Sequence, residues 1–108
     1  MEIENIKNFI GGWFIGDFEP TLLKTKDFEI AVKRYKPGAE EVSHVHKIAT
    51  EYTVILHGAA TFNNQTFFAD EIVIVKPGES VAFKAWSDVI TLVIKVPSVK
   101  GDKYETSE

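Results

Sequence analysis

The chain has 108 residues, 44% hydrophobic and 12% aromatic, with a net charge of −4 and no cysteine. That length makes a single domain with a core that needs no cross-links, and the missing cysteine excludes disulfides, thiolate metal sites and a cysteine nucleophile. Lysine and arginine are scattered without a basic stripe, no segment approaches a bilayer span, and the first dozen residues lack the pattern of a secretion signal, so nucleic acid and membrane are not expected partners and a cytoplasmic location is expected.

In chain order, Ile3, Ile6 and Ile10 fall at helical spacing and Gly11-Gly12 follows, which predicts a short helix or 3₁₀ turn within a lead-in segment, residues 1–20. The run GGWFIGDFEP is unusually aromatic. Trp13, Phe14 and Phe18 exceed what so small a core can bury, so they are expected to cover its mouth or to meet a second subunit, and a homodimer is expected on that ground. From residue 21 to 97 the pattern is all-β: short β-branched and aromatic runs, several alternating, each stopped by Gly, Pro, Asn or Asp. FEIAVKRYKPG sets Phe28, Ile30 and Val32 against Glu29, Ala31 and Lys33 and stops at Pro37-Gly38.

A short strand around Ser43 to His46 follows, then Glu51 to Leu56, halted at Gly58. Asn63-Asn64 supplies the positive φ of a tight hairpin. Ile72 to Val75 is a continuous apolar strand stopped by Pro77-Gly78, and SVAFKAW and VITLVIKV come last, for about eight or nine strands by this count and the spacing of a closed sandwich or barrel. Residues 98–108 are polar and aperiodic, a tail with the composition of disorder.

Chemistry concentrates in SHVHKIATEY. Alternating side chains put His44 and His46 on one face with roughly 6 to 7 Å between Cα atoms, and Glu51 opens the next strand. Two imidazoles and a carboxylate leave open positions on a divalent transition metal, Fe, Mn, Ni, Co or Zn, where a substrate or water binds. The stretch Gly38, His44-Val45-His46, Glu51 and Gly58, with Pro37 ahead of it, resembles the first motif of the cupin superfamily at every position. The resemblance spans roughly Phe28 to Val96 and implies a jelly-roll β-barrel, a double-stranded β-helix, with His44, His46 and Glu51 as metal ligands. The second cupin motif is degenerate: Lys76-Pro77-Gly78 resembles its turn, but Val81 stands where the resemblance implies a fourth ligand, Ala85 where it implies asparagine and Asp70 where it implies glycine. The triad is therefore read as a metal site with three protein ligands, as an inherited metal-free pocket that hydrogen-bonds an organic molecule, or as a plain strand edge.

Around that site, Arg34 continues the face of Phe28, Ile30 and Val32 and either projects into the barrel or lies outside at a solvated strand end. Thr53 shares the face of Glu51, while Phe62, Phe67, Phe68 and Phe83 fill the barrel. Arg34, Thr53 and Phe83 are the expected ligand contacts. His57 shares Glu51's face but lies about 20 Å away along the strand, too far to join a metal shell. The fold class assigns no reaction. The leading expectation is a metal-binding barrel for a small polar molecule, a sugar, sugar nucleotide or organic acid, with isomerase or oxygenase chemistry open to it. The alternative is a non-catalytic, metal-free binding protein. A metal-free acid–base isomerase would draw on Tyr52 and His57, which parity puts on opposite faces.

Overall fold

The computed structural model describes residues 1–107. The strands are β1 (Trp13–Ile15), β2 (Glu29–Tyr35), β3 (Glu40–Val45), β4 (Thr50–His57), β5 (Ala59–Phe62), β6 (Gln65–Phe68), β7 (Ile72–Val75), β8 (Ser80–Ala85), β9 (Val89–Val96) and β10 (Tyr104–Glu105). They form two five-stranded sheets, one in the order β1-β2-β9-β4-β7 and the other β10-β3-β8-β5-β6. All pairings are antiparallel, and the sheets pack face to face as a jelly roll. Among the described residues no helix is long and apolar enough to cross a membrane.

The turn chemistry operates as expected at the β5–β6 hairpin, where Asn63 and Asn64 have φ of 51° and 68°. Between the sheets lies a cluster that includes Ile55, Phe62, Val75, Val81, Phe83 and Val89. Burying each of these side chains contributes about 1.5–3 kcal/mol, which holds the sheets together against chain entropy.

The ends of the chain depart from expectation. The helical spacing of Ile3, Ile6 and Ile10 yields only two single-turn 3₁₀ elements, Ile6–Asn8 and Ile10–Gly12, and Ile3 and Ile10 stay exposed. Gly11 inside the second turn has φ of 60°, which stops any helix from propagating. The polar tail is built into the barrel: β10 pairs with β3, and the Thr106 hydroxyl bonds those of Ser43 and Ser80 at 2.7 and 2.6 Å. Asp102 is only 6% exposed.

The second departure is the orientation of β2. Its inward residues are Glu29, Ala31, Lys33 and Tyr35, three of which line the interior cavity, whereas Ile30, Val32 and Arg34 face out. Cross-strand register extends that outer face in two rows, Ile30–Ile94–Tyr52–Ile74 and Val32–Leu92–Val54–Ile72. The matching inner row, Glu29–Lys95–Glu51–Val75, is charged at its first three positions.

Candidate functional site

A cavity of about 310 Å³ opens between the sheets. His44, Val81 and Phe83 face it from one sheet, and Glu51, Thr53 and Thr91 from the other. Trp13 and Phe18, edge to face with centroids 6.5 Å apart, flank the mouth together with Ile10 and Pro20. The aromatic lead-in thus covers the barrel's opening, the first of the two roles expected for it. Lys33, Lys95 and Lys103 supply the positive charge of the lining, and Glu19, Glu29, Glu41 and Glu51 the negative.

The two histidines are held by the backbone. His44 Nδ1 lies 2.9 Å from the Val42 carbonyl and donates to it, while His46 Nδ1 donates to the Asp102 carbonyl. Fixing Nδ1–H in this way leaves Nε2 as the free lone pair whenever the ring is neutral, the arrangement that orients imidazoles toward a metal ion. Asp102 is itself clamped, its carboxylate accepting the amides of Lys47 and Ala49, each at 2.9 Å, and of Ile48 at 3.1 Å. One residue of the tail therefore shapes the loop between β3 and β4 and sets the His46 ring.

His46 is 2% exposed, and its Nε2 has no hydrogen-bond partner although Glu51 Oε1 stands 3.3 Å away. Two donors each about 2.1 Å from one ion, at roughly tetrahedral to right angles, stand about 3.0–3.4 Å apart. The spacing is that of two co-ligands, and the orphaned Nε2 is the atom a cation would satisfy. The His44 and His46 rings lie 5.2 Å apart, nearly perpendicular. Among the described residues, however, no group of three His, Cys, Asp or Glu side chains closes on a common point. His46 and Glu51 stand at the spacing of a pair, and His44 does not close on the same point. Val81 pairs with His44 in register and offers an apolar wall in the fourth position.

Electrostatics follow from burial and neighbours. Burial alone would raise the Glu51 carboxyl, but His46, Lys95 and the Thr53 hydroxyl, at 3.1 Å, outweigh it and hold the group below its ordinary range. Burial lowers His44, opposed by the Val42 carbonyl, so its neutral, ligating form is favoured. Burial likewise lowers Lys95, with Glu51 and Glu29 pulling the other way. Tyr35 is pushed far up by burial and by Glu41, to whose carboxylate its hydroxyl donates at 2.6 Å, and it stays a proton donor.

Of the expected ligand contacts, Thr53 and Phe83 line the cavity. Arg34 does not: it is exposed on the outer face, because the polar residues of β2 take the inward parity. His57 is exposed at the end of β4, away from the cavity. Sequence reasoning missed Lys33, Tyr35, Thr91, Lys95 and Asp102. Only the alternation of β2 carried a signal for the first two, and it was assigned to the wrong face.

No family model matches the chain, and no curated protein does. Solved structures of similar shape include an uncharacterized conserved protein with a double-stranded β-helix domain from Klebsiella pneumoniae, at 21% identity and TM-score 0.73 over 98% of this chain and 92% of that one. Another is the DMSP lyase DddQ from Ruegeria pomeroyi, at 17% identity and TM-score 0.72, covering 87% of this chain and 49% of that one, so the chain spans about half the lyase's length. A cupin-2 domain containing protein from Shewanella frigidimarina matches at 20% identity and TM-score 0.56, over 67% of this chain and 72% of that one. The fold is the double-stranded β-helix of the cupins.

Proposed function

We propose that this barrel binds a divalent transition metal ion through His44, His46 and Glu51 and holds a small polar molecule in the cavity beside it. The observation that carries the reading is His46 Nε2, buried, without a hydrogen-bond partner and 3.3 Å from the Glu51 carboxylate. Leaving such an atom unsatisfied costs about 1–3 kcal/mol, and an ion removes that cost. When bound, the ion would supply a Lewis acid with open positions facing the cavity. Around it, Thr53 fixes the Glu51 carboxylate, Tyr35 stays protonated beside Glu41, and Phe83 and Val81 form the apolar wall.

The test is elemental analysis of protein purified without a metal-affinity tag, then titration of stripped protein with Fe, Mn, Ni, Co and Zn followed by thermal unfolding. About one equivalent of metal, with an upward shift in melting temperature that disappears in His46→Ala and Glu51→Gln, is the expected result. The reading fails if no ion stabilises the wild type more than it stabilises the variants.

A second reading, a metal-free binding barrel, is favoured by the apolar Val81 opposite His44 and by the absence of a closed three-ligand group among the described residues. It gives the opposite result: no metal shift, and thermal stabilisation by a small organic molecule alone.

A further inference from the structure

The charged groups of the cavity are not equally committed. Each carboxylate already has a partner: Glu41 takes the Tyr35 hydroxyl, Glu29 takes Ser98 Oγ at 2.8 Å, Glu51 takes Thr53 with His46 beside it, and Glu19 pairs with Lys24 at 3.5 Å. Among the described residues neither Lys33 nor Lys95 is in an ion pair. Both instead stand over the Trp13 ring, at 5.5 and 5.0 Å from its centroid, so the two ammoniums are no further apart than the sum of those distances. A face-on cation keeps its N–H bonds free for a further acceptor. Thr91, beside Lys33 in register, is 1% exposed, lines the same cavity, and its Oγ1 has no hydrogen-bond partner. Phe62, Phe83, Val81 and Val93 make the rest of the wall apolar.

From free cations at the mouth, an orphaned hydroxyl deeper in and an apolar wall between, we infer that the cavity's ligand is a small carboxylate with an apolar body and a second oxygen. Lys33 and Lys95 supply the positive charge at the carboxylate end, and Thr91 Oγ1 takes the second oxygen. The volume, equal to about ten waters at roughly 30 Å³ each, suits a molecule of that size. The inference deepens the proposed function and rests on the cavity being a ligand site, though not on the ion.

Trp13 and Trp86 are the only tryptophans, so Trp86→Phe leaves Trp13 as a fluorescent reporter at the mouth. Titration of that protein with 4-hydroxybenzoate and 5-hydroxypentanoate, and with their neutral amides, tests the assignment. At least one acid should bind at least tenfold more tightly than its amide, with affinity falling as salt rises. Lys95→Met and Lys33→Met should each weaken the acid about tenfold and leave the amide unchanged. Thr91→Val should remove the advantage of the hydroxylated acid over its deoxy analogue. Lys33 lies near the mouth and its variant keeps the charged inner row intact, so it serves if Lys95→Met misfolds. Equal binding of acid and amide, or no binding by either acid at millimolar concentration, overturns the inference. Acid binding without metal uptake would sink the metal reading alone, whereas uptake of metal with indifference to charge would sink this one alone.

A second inference has a separate basis, the outer face of the β1-β2-β9-β4-β7 sheet. Its two apolar rows contain no acidic residue, and Tyr52, Leu56, Ile72, Ile74 and Val96 on this face are 36–56% exposed. Four strands at about 4.8 Å spacing, over some six to eight residues of about 3.3 Å each, give a flat footprint of roughly 400 Å². Two such faces together would bury about 800 Å², the size of a weak, concentration-dependent pair. We propose that a second copy of this chain covers the face, sheet on sheet about a two-fold axis, since the two uncharged rows can meet their own copies without repulsion while Arg34 stays in the neighbouring row. Light scattering at about 100 µM should give twice the 12.1 kDa chain mass, and Ile74→Lys or Ile72→Lys should give monomers with unchanged circular dichroism. A monomeric wild type, or folded lysine variants that remain dimers, would refute it.

Discussion

Replacing Asp102 by alanine asks whether a residue of the polar tail holds the site. The carboxylate accepts three amides, those of Lys47, Ile48 and Ala49, and its backbone carbonyl takes the His46 Nδ1 proton. Lys47 and Ile48 are exposed, so water replaces the lost acceptor there, whereas Ala49 is 2% exposed and its amide loses its partner. A charged acceptor removed from a buried amide costs about 1–3 kcal/mol and each solvated amide roughly 0.5–1 kcal/mol, so the variant should lose about 2–5 kcal/mol. For a domain of this size that is on the order of 10 °C in melting temperature. Asp102→Asn keeps one carbonyl acceptor and should lose about half as much.

Urea unfolding of chelator-treated protein measures this without interference from metal, with the slope unchanged and the midpoint lowered. The pH dependence supplies a second check. Burial would raise the Asp102 carboxyl, but the three amides outweigh it and hold it below its ordinary range. A carboxyl depressed in the folded state contributes stability that is complete above its unfolded pKa, about 3.9, and lost as pH falls through the folded value. The gap between wild type and Asp102→Ala should therefore be constant from neutral pH to about 5 and close below about 4. A difference under 0.5 kcal/mol at neutral pH, or a gap of the same size at pH 3, would refute the clamp.

Val81→His places an imidazole opposite His44 in a buried position; it should destabilise stripped protein by about 1–3 kcal/mol and recover at least that much with Zn or Ni, read by thermal unfolding. Tyr35 should ionise well above the ordinary tyrosine range in an alkaline absorbance titration, and Tyr35→Phe should remove that late phase. Gly58 has φ of 92° and a Cβ there would lie 2.1 Å from the Asp88 carbonyl oxygen, so Gly58→Ala should cost more than about 2 kcal/mol in urea unfolding.

Most of the strands were legible because their stops are chemical. Pro37-Gly38, Asn63-Asn64 and Pro77-Gly78 end runs at positions where proline lacks a donor or the backbone needs positive φ. Even a departure from the cupin motif is consistent with this: Asp70, standing where glycine is implied, has φ of 77°. The His-x-His spacing located two buried imidazoles correctly, since period-two alternation depends on nothing distant. Asp102 was invisible because its partners lie more than fifty residues away, and a lone Gly-Asp in a polar tail reads as a solvated turn. Lys95 was hidden in the apolar strand VITLVIKV, where its long stem packs while its head reaches the cavity mouth.

Arg34 failed for a reason that reaches further than one residue. Hydrophobicity assigns the apolar side of an alternating strand to the core, on the premise that the other side meets water. In β2 both sides are half-buried, and the apolar side is the outer one. A sheet arranged this way must put charge inside, which the open cavity accommodates, with Lys95 between Glu29 and Glu51 in register. It must also leave aliphatic rows outside, which a monomer tolerates only at a cost in solubility. The polar cavity and the apolar outer face are therefore two results of a single choice of parity. A lysine at Ile74 breaks the second without touching the first. If Ile74→Lys produced a folded monomer whose cavity still discriminated acid from amide, the ligand site would be shown to belong to each chain alone, with the apolar face serving assembly.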